Sequence, residues 1–345
     1  MKITLLTMEY PPMVGGVGNY YAGLVRHLER ENIAVKIVVL SNNMRWWQVL
    51  WKVIWLRADY LWIGQILPIG TAAYLISKIR RQKYFISLHG MDINLALAAK
   101  PNITQKILTD ATFVTANSEY TKSLISANIA REKVIIIYPS PNINEQVDSA
   151  IEQTILSQFK LKDNKILLSV GRLVERKGLQ QVIALMPQLL KNDQTLIYYI
   201  IGKGEYQPEL DQLILDHQLT DHVMILNNIN NEELKIFYLH ANLFIMPTIA
   251  IKEDVEGFGI VYLEAGLYNT PVIATPVGGV KEAVIDQQTG LLCSPEELLP
   301  SIIRLLTDSD YANKLGKQAR ELIKGKYSYS KQIHKLIDQI ENGKQ

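Results

Sequence analysis

Two carboxylates eight positions apart, Glu256 and Glu264, frame the segment EGFGIVYLE. Gly257, Phe258 and Gly259 follow the first, and a helix-period run, Ile260 to Tyr268, contains the second. A helix start leaves backbone N–H groups without intrahelical partners and carries partial positive charge. Glycines there let an anion or a sugar ring approach the bare backbone. Glu256 then sits at the mouth of the helix and Glu264 about two turns further in. Carboxylates accept hydrogen bonds from paired hydroxyls. The spacing suits a ligand with hydroxyls at both ends and phosphate between them, a nucleotide sugar.

A second set of charges is in GRLVERKG, residues 171–178. Arg172 and Lys177 there can neutralise a diphosphate and stabilise the charge that grows on it as a sugar leaves. The other reading is a solvated basic loop that also contains Arg176. His89 ends the run YFISLH and precedes Gly90. It is either an ordinary hydrogen-bonded histidine or a group that orients a ligand. Asp92 either contacts an acceptor or caps the next helix. In VGGVGNY, residues 14–20, the glycines let backbone amides approach a phosphate or acceptor, with Gly16 the leading position. This is not a dinucleotide fingerprint. That signature needs an acidic residue ending the second strand, where this chain has Ser41-Asn42-Asn43. Asp308-Ser309-Asp310 has the form of a metal-binding D-x-D, but it lies between two helical runs and reads as a helix cap. The histidines lack metal-ligand spacing and a single cysteine, Cys293, cannot build a zinc cage. No cofactor and no obligatory metal are expected.

These residues have to be positioned by strands. Apolar runs alternate with helix-period runs along the chain. ITLLTM, VKIVVL, DYLWIG, YFISLH, TFVTA and KVIIIY are the strands of the first half; KILLSVG, TLIYYIIG, HVMIL, LFIMP, PVIAT and GLLC are those of the second. Two such series predict two α/β domains with parallel sheets. Each motif follows a strand, where open parallel sheets bind ligands. The linker is YPSPNINEQ, Tyr138 to Gln146.

The Glu256–Glu264 stretch resembles the E-x7-E signature of retaining glycosyltransferases of family 4, and DVEGFGIVYLEA is similar to the phosphatidylinositol mannosyltransferases within it. PPMVGGVGNY, LHGMD, TANSEYTK, VGRLVERKG, IIGKGE and PVIATPVGGVKEAV extend the resemblance over nearly the whole chain. It implies a GT-B fold, two Rossmann-like domains with a cleft between them. The domains expected are residues 1–145 for the acceptor, 146–328 for the nucleotide sugar, and a C-terminal helix, 329–345, packing back across both. The resemblance assigns the pyrophosphate to Arg172 and Lys177, the ribose hydroxyls to Glu264 and the donor-sugar hydroxyls to Glu256. The amides of Gly257, Phe258, Gly259, Ile260 and Val261 would touch sugar and phosphate, Ile229 the base, and His89 the donor sugar. It implies hexose transfer with retained configuration, by front-face attack in which the leaving phosphate takes the acceptor proton. The donor is GDP-mannose or a UDP-sugar. The chain departs from the family at Pro141-Asn142-Ile143 in the linker and at Tyr268-Asn269-Thr270, where relatives have a small-Gly turn. Two rival readings are a sugar-nucleotide epimerase of the same fold and a non-catalytic membrane-associated subunit.

All five tryptophans fall between Trp46 and Trp62. Trp47, Leu50, Trp51, Ile54 and Trp55 make one apolar helical face, with Arg45, Gln48 and Lys52 on another. Between Asn43 and Lys83 there are seven basic residues and one acidic. That pattern matches an interfacial helix on anionic lipid, or else a core-facing helix. On the first reading Trp47, Trp51 and Trp55 meet a membrane surface, and the acceptor is a lipid-linked species or a saccharide in glycolipid or cell-surface polysaccharide synthesis. The uncharged stretch Tyr60 to Ser77 is broken by Gly64, Pro68 and Gly70 and reads as strand, loop and helix, not as a membrane span. Residues 1–150 hold 16 Lys+Arg against 10 Asp+Glu, and the remainder 20 against 24, so the first half is the one suited to an anionic surface. With one cysteine no intrachain disulfide is possible, which fits a reducing cytosol, and the expected location is cytoplasmic, peripheral on the inner face of the membrane. No nucleic-acid partner is expected.

Overall fold

β-branched and aromatic residues dominate the apolar runs, and in the computed structural model each run becomes a strand. The structure describes residues 1–345 except 13–14, 42, 126–128, 130, 142–144, 252–253 and 344–345. The expected linker therefore falls partly outside the described residues. The first-half strands are β1 (Lys2–Thr7), β2 (Ala34–Val39), β3 (Tyr60–Ile63), β4 (Tyr84–Leu88), β5 (Val114–Ala116) and β6 (Val134–Ile136). Those of the second half are β7 (Lys165–Val170), β8 (Leu196–Ile201), β9 (Val223–Leu226), β10 (Leu243–Met246), β11 (Val272–Ala274) and β12 (Leu291–Leu292). They form two six-stranded sheets, ordered β2-β1-β3-β4-β5-β6 and β12-β11-β10-β7-β8-β9. Every paired strand in them is parallel. Parallel sheets must be covered on both faces, which is why β3, β4, β8 and β10 are buried at every position.

The chain divides into one unit of Met1–Asn142 with Tyr327–Gln345 and another of Ile143–Lys326. The final helix, Tyr329–Asn342, is part of the first unit. Its Ile333, Leu336 and Ile340 share a core with Tyr20, Tyr21, Leu24 and Leu28 of the helix Gly16–Arg30. The Gln332 side-chain oxygen accepts from the Tyr138 backbone N–H at 2.9 Å, tying that helix to the chain just beyond β6. The Tyr60–Ser77 stretch is β3, a short turn, and most of the helix Thr71–Arg80. Among the described residues no helix is long and apolar enough to cross a membrane.

In the second unit the connection from β7 to β8 runs to one side of β7, while β10 pairs on its other side. The strand order therefore reverses between β7 and β10. At such a switch point two loops leave the sheet in opposite directions and open a crevice. The loop after β7 contains Arg172 to Gly178 and the loop after β10 contains Glu256 to Gly259. Both of the charged motifs singled out in the sequence thus emerge at this switch point. The turn at Tyr268-Asn269-Thr270 is closed by Asn269, whose φ of 61° takes the left-handed conformation a glycine would otherwise supply. Asp308 caps the helix Ser309–Lys326 by accepting from the Tyr311 N–H at 3.0 Å.

Candidate active site

Glycine and tight turns set the second unit's site. Gly259 precedes the helix Ile260–Leu267 with φ 87°, and a side chain there would run into the Tyr262 ring. Tyr262 is fixed by its hydroxyl, which donates to the Met246 carbonyl at 2.9 Å at the end of β10. Gly279 of the GGV turn lies directly on the Gly257 carbonyl, with no room for a Cβ, and its N–H bonds the Glu256 carbonyl at 3.0 Å. The backbone beside Glu256 is thereby held from both sides. The loop after β7 is pinned as firmly. Leu173 N–H donates to the Lys203 carbonyl, and Tyr206 N–H to the Leu173 carbonyl, each at 2.9 Å. IIGKGE and VGRLVERKG are therefore one packed loop pair.

Between these loops lies a charge cluster, buried at Lys177, Arg176 and Glu256 and part-exposed at Asp254. A single oxygen of Glu256, Oε2, accepts from Lys177 Nζ at 2.6 Å and from Arg176 Nη1 at 2.7 Å. Arg176 Nε also forms an ion pair with Asp254 Oδ1 at 2.9 Å. Burial alone would raise the Glu256 pKa, but Lys177 and Arg176 outweigh it and bring it down to about 2. Burial lowers the Lys177 pKa, and the neighbouring Arg176 and Arg172 cations push the same way against Glu256. Arg176 is shifted upward: burial opposes this, and Glu256 and Asp254 override it. Two cations and two carboxylates at a glycine-lined helix start can take on, and redistribute around, additional negative charge.

Sequence reasoning places Lys177 and Glu256 together, and they are bonded. The alternative of a solvated basic loop does not hold for Arg176, which is buried and forms ion pairs with two carboxylates. Nothing local distinguishes Arg176 from an exposed arginine, since its partner is far along the chain. Arg172 is exposed and near enough to Lys177 to affect its charge, but it makes no ion pair with Glu256. Glu264 is half-buried within the helix Ile260–Leu267 and accepts from the Tyr238 hydroxyl at 2.9 Å, a partner the sequence did not suggest. Burial raises its pKa, and the Tyr238 bond opposes the shift. Ile229, half-buried, lies in the loop after β9. Phe258 is buried, while Ile260 and Val261 start the helix half-buried.

The first unit's sheet ends differently. His89 follows β4, edge-on to the Tyr20 and Tyr21 rings at 5.2 and 5.3 Å. The Tyr21 hydroxyl donates to the Gly64 carbonyl at 2.8 Å and lies 2.6 Å from His89 Nε2. A carbonyl only accepts, so the Tyr21 proton goes to it and His89 donates from Nε2, leaving Nδ1 an acceptor. Burial lowers the His89 pKa to about 3, so the ring is neutral. Asp92, in the first turn of the helix Met91–Ala99, accepts from the His89 N–H at 2.8 Å through Oδ1, which ties the helix start to the residue after β4. Its Oδ2 is buried without a hydrogen-bond partner among the described residues, and burial lifts the Asp92 pKa to about 6. Gly16, exposed, is the first residue of the helix Gly16–Arg30. Its amide is among those without an intrahelical partner.

The tryptophans divide in two. Trp62 is fully buried and donates to Ser87 Oγ at 2.8 Å. In the helix Trp46–Val53 the core is met by Val49 and Val53, with Leu50 half-buried. Trp46, Trp47, Trp51 and Trp55 are exposed, the last two at 69% and 78%. The core-facing alternative therefore holds for the valines and not for Trp47, Trp51 or Trp55. Arg45, Lys52 and Arg57 are exposed beside them, as are Ile79, Arg80 and Arg81 at the end of the helix Thr71–Arg80 that packs against this one. Among the described residues no group of His, Cys, Asp or Glu side chains could hold a metal ion.

A GDP-mannose-dependent alpha-(1-6)-phosphatidylinositol monomannoside mannosyltransferase of Mycobacterium tuberculosis is 27% identical over 289 residues, 81% of this chain and 75% of the relative. A GDP-mannose-dependent monoacylated alpha-(1-6)-phosphatidylinositol monomannoside mannosyltransferase of Corynebacterium glutamicum is 24% identical over 363 residues, 95% of this chain and 94% of the relative. Anabaena HepE, solved with UDP and glucose, superposes with a TM-score of 0.83 at 19% identity, covering 99% of this chain and 100% of that one. At that identity the superposition establishes the fold, which is GT-B. The family described as glycosyl transferases group 1 matches residues 151–322, nearly the whole of the second unit, and through that match the chain belongs to the glycosyl transferases group 1 family.

Proposed function

We propose that the protein is a retaining hexosyltransferase. It moves a hexose from a nucleoside-diphosphate sugar to a lipid-linked or saccharide acceptor. One observation carries this reading: the Lys177–Glu256 pair, buried at the sheet's switch point beside a glycine-lined helix start. On this reading Lys177 and Arg172 take the diphosphate, and Glu256 takes hydroxyls of the donor sugar. Glu264, steadied by Tyr238, takes the ribose, and the Gly257 to Val261 amides face sugar and phosphate. Ile229 lies against the base. Neutral His89 accepts a sugar hydroxyl at Nδ1, Gly16 offers a backbone amide to phosphate or acceptor, and Asp92 serves the acceptor as well as its helix. The bond from the anomeric carbon to the phosphate oxygen breaks as the acceptor oxygen bonds the same face, and the acceptor's proton passes to the departing phosphate. Positioning and electrostatic stabilisation supply the rate, with no protein nucleophile and no obligatory metal. The mannosyltransferase relatives favour GDP-mannose, and the UDP complex of HepE keeps UDP-sugars in play.

The acceptor's lipid character is supported by the exposed Trp47, Trp51 and Trp55 with their basic flank. Indole rings seat at a lipid interface and arginines beside them attract anionic headgroups. A membrane-peripheral first unit is the corresponding reading, on the cytoplasmic face, and flotation with phosphatidylcholine–phosphatidylglycerol vesicles tests it. The parent should float and a Trp51→Ser/Trp55→Ser variant should float about tenfold less. Equal flotation of both, or none by either, removes the membrane from the account.

The transfer itself is tested by incubating the protein with GDP-mannose or UDP-glucose and a polyprenyl-phosphate or glycolipid acceptor, then reading the anomeric coupling of the product by proton NMR. Retained α-configuration supports the proposal. Inverted product sinks the retaining mechanism, and acceptor-independent conversion of the sugar makes the protein an epimerase. Neither donor hydrolysis nor transfer marks a non-catalytic subunit.

A further inference from the structure

The two cations on Glu256 are not equivalent. Lys177 is a flexible point charge whose ammonium, among the described residues, bonds only the Glu256 carboxylate. It can rotate to a new acceptor without breaking anything else. Arg176 cannot. Its guanidinium spans Glu256 and Asp254, its backbone carbonyl accepts from the Ile249 N–H at 2.7 Å, and its side chain is only 8% exposed. Asp254 is itself tied by its N–H to the Ile251 carbonyl at 2.9 Å. Charges inside the cluster balance, two cations against two carboxylates, so a diphosphate that takes Lys177 as well as the exposed Arg172 draws a cation away from Glu256. If Lys177 turns to it, Glu256 is left facing a diphosphate with Arg176 alone to hold its charge.

We propose that Arg176 is a positioning residue. Braced by Asp254, it holds the Glu256 carboxylate in place and ionised while Lys177 is handed over to the donor's diphosphate. Arg176 itself touches neither phosphate nor sugar. The proposal rests on the donor reading above and adds to it the residue that keeps Glu256 usable once the donor is bound.

The test compares the parent with Arg176→Ala, Arg176→Lys and Asp254→Asn, using the full chain. Steady-state transfer, affinity for the nucleoside diphosphate alone by calorimetry, and the pH profile of kcat/KM are measured. Arg176→Ala should lose about 30- to 100-fold in kcat, with nucleoside-diphosphate affinity within about threefold of the parent. Its acid limb should rise toward the ordinary carboxylate range, about pH 4–5, because Glu256 keeps only one cation. Arg176→Lys keeps the charge but cannot span both carboxylates, so it should recover about half of the loss on a logarithmic scale, and it decides the matter if the alanine variant fails to fold. Asp254→Asn should cost about three- to tenfold in kcat alone. An Arg176→Ala enzyme with unchanged kcat and an unmoved acid limb overturns the proposal. A fall in nucleoside-diphosphate affinity matching the fall in kcat also overturns it, since Arg176 would then be a phosphate ligand. A parent that binds no nucleotide sugar sinks the donor reading and this proposal with it. A parent that binds and transfers, matched by Arg176→Ala, sinks the proposal alone.

Discussion

The two sheets end in opposite ways. At the second unit's edge, Glu256 is kept ionised by two cations, its pKa brought down to about 2. At the first unit's edge, His89 is kept neutral by burial, its pKa lowered to about 3, against two tyrosine rings with a hydroxyl as partner. The same α/β framework thus fixes one group by pairing charges and the other by excluding them. The paired edge suits the accumulation of negative charge on a departing diphosphate. The neutral edge suits hydroxyl recognition, where a charged imidazole would compete for phosphate.

The largest break in this comparison is Lys177→Ala. On the proposed reading it should lower turnover about 10²- to 10³-fold, because the cation assigned to the leaving phosphate is gone. Glu256 retains Arg176, so circular dichroism should show an intact fold. Full activity in a folded variant would remove Lys177 from the chemistry. Next is His89→Ala, expected to cost about tenfold to a hundredfold in kcat with nucleoside-diphosphate affinity unchanged, since the proposed function gives His89 a sugar hydroxyl and not a phosphate. In the parent no limb from His89 should appear in the pH–rate profile near pH 6–7, where an ordinary histidine titrates. Such a limb, lost in His89→Gln, would show the ring charged.

Glu264→Gln should weaken nucleotide binding by about tenfold, the value of one charged hydrogen bond, with little change in stability, since Glu264 is held by a tyrosine and not by a cation. A collapse in stability would contradict that. The smallest effect belongs to Asp92. Its folded-state pKa of about 6 lies above the usual 3.8, so the stability it contributes is full below about pH 4 and lost as pH rises to about 6. Asp92→Asn keeps an acceptor for the His89 N–H and should raise Tm at pH 7 and change it by almost nothing at pH 4. A pH-independent shift would mean that ionisation is not the cost.

Much of the fold was legible because its strands are continuous apolar runs; the parallel sheets follow from strands alternating with helices. Glu256 and Lys177 were legible as chemistry through their places after β10 and β7. Arg176 was not, because a basic loop reads alike whether its arginine faces water or a carboxylate eighty positions away. Tyr238 was missed for the same reason: contacts across a Rossmann-like unit leave no local pattern. The tryptophan helix shows the limit of periodicity. Its valine row and its tryptophan row are both apolar, and only the packing of Val49 and Val53 on the core sends the indoles outward.

The most direct test of the account is a thermal-shift comparison of UDP-glucose, GDP-mannose and ADP-glucose on the parent and on Lys177→Ala. A ligand that binds only the native state stabilises it by about 2.7 kcal/mol at a hundredfold excess over Kd. One nucleotide sugar should raise the parent's Tm by several degrees and leave the variant nearly unmoved. No shift with any nucleotide sugar, or the same shift in both proteins, would contradict a donor site built on Lys177 and Glu256.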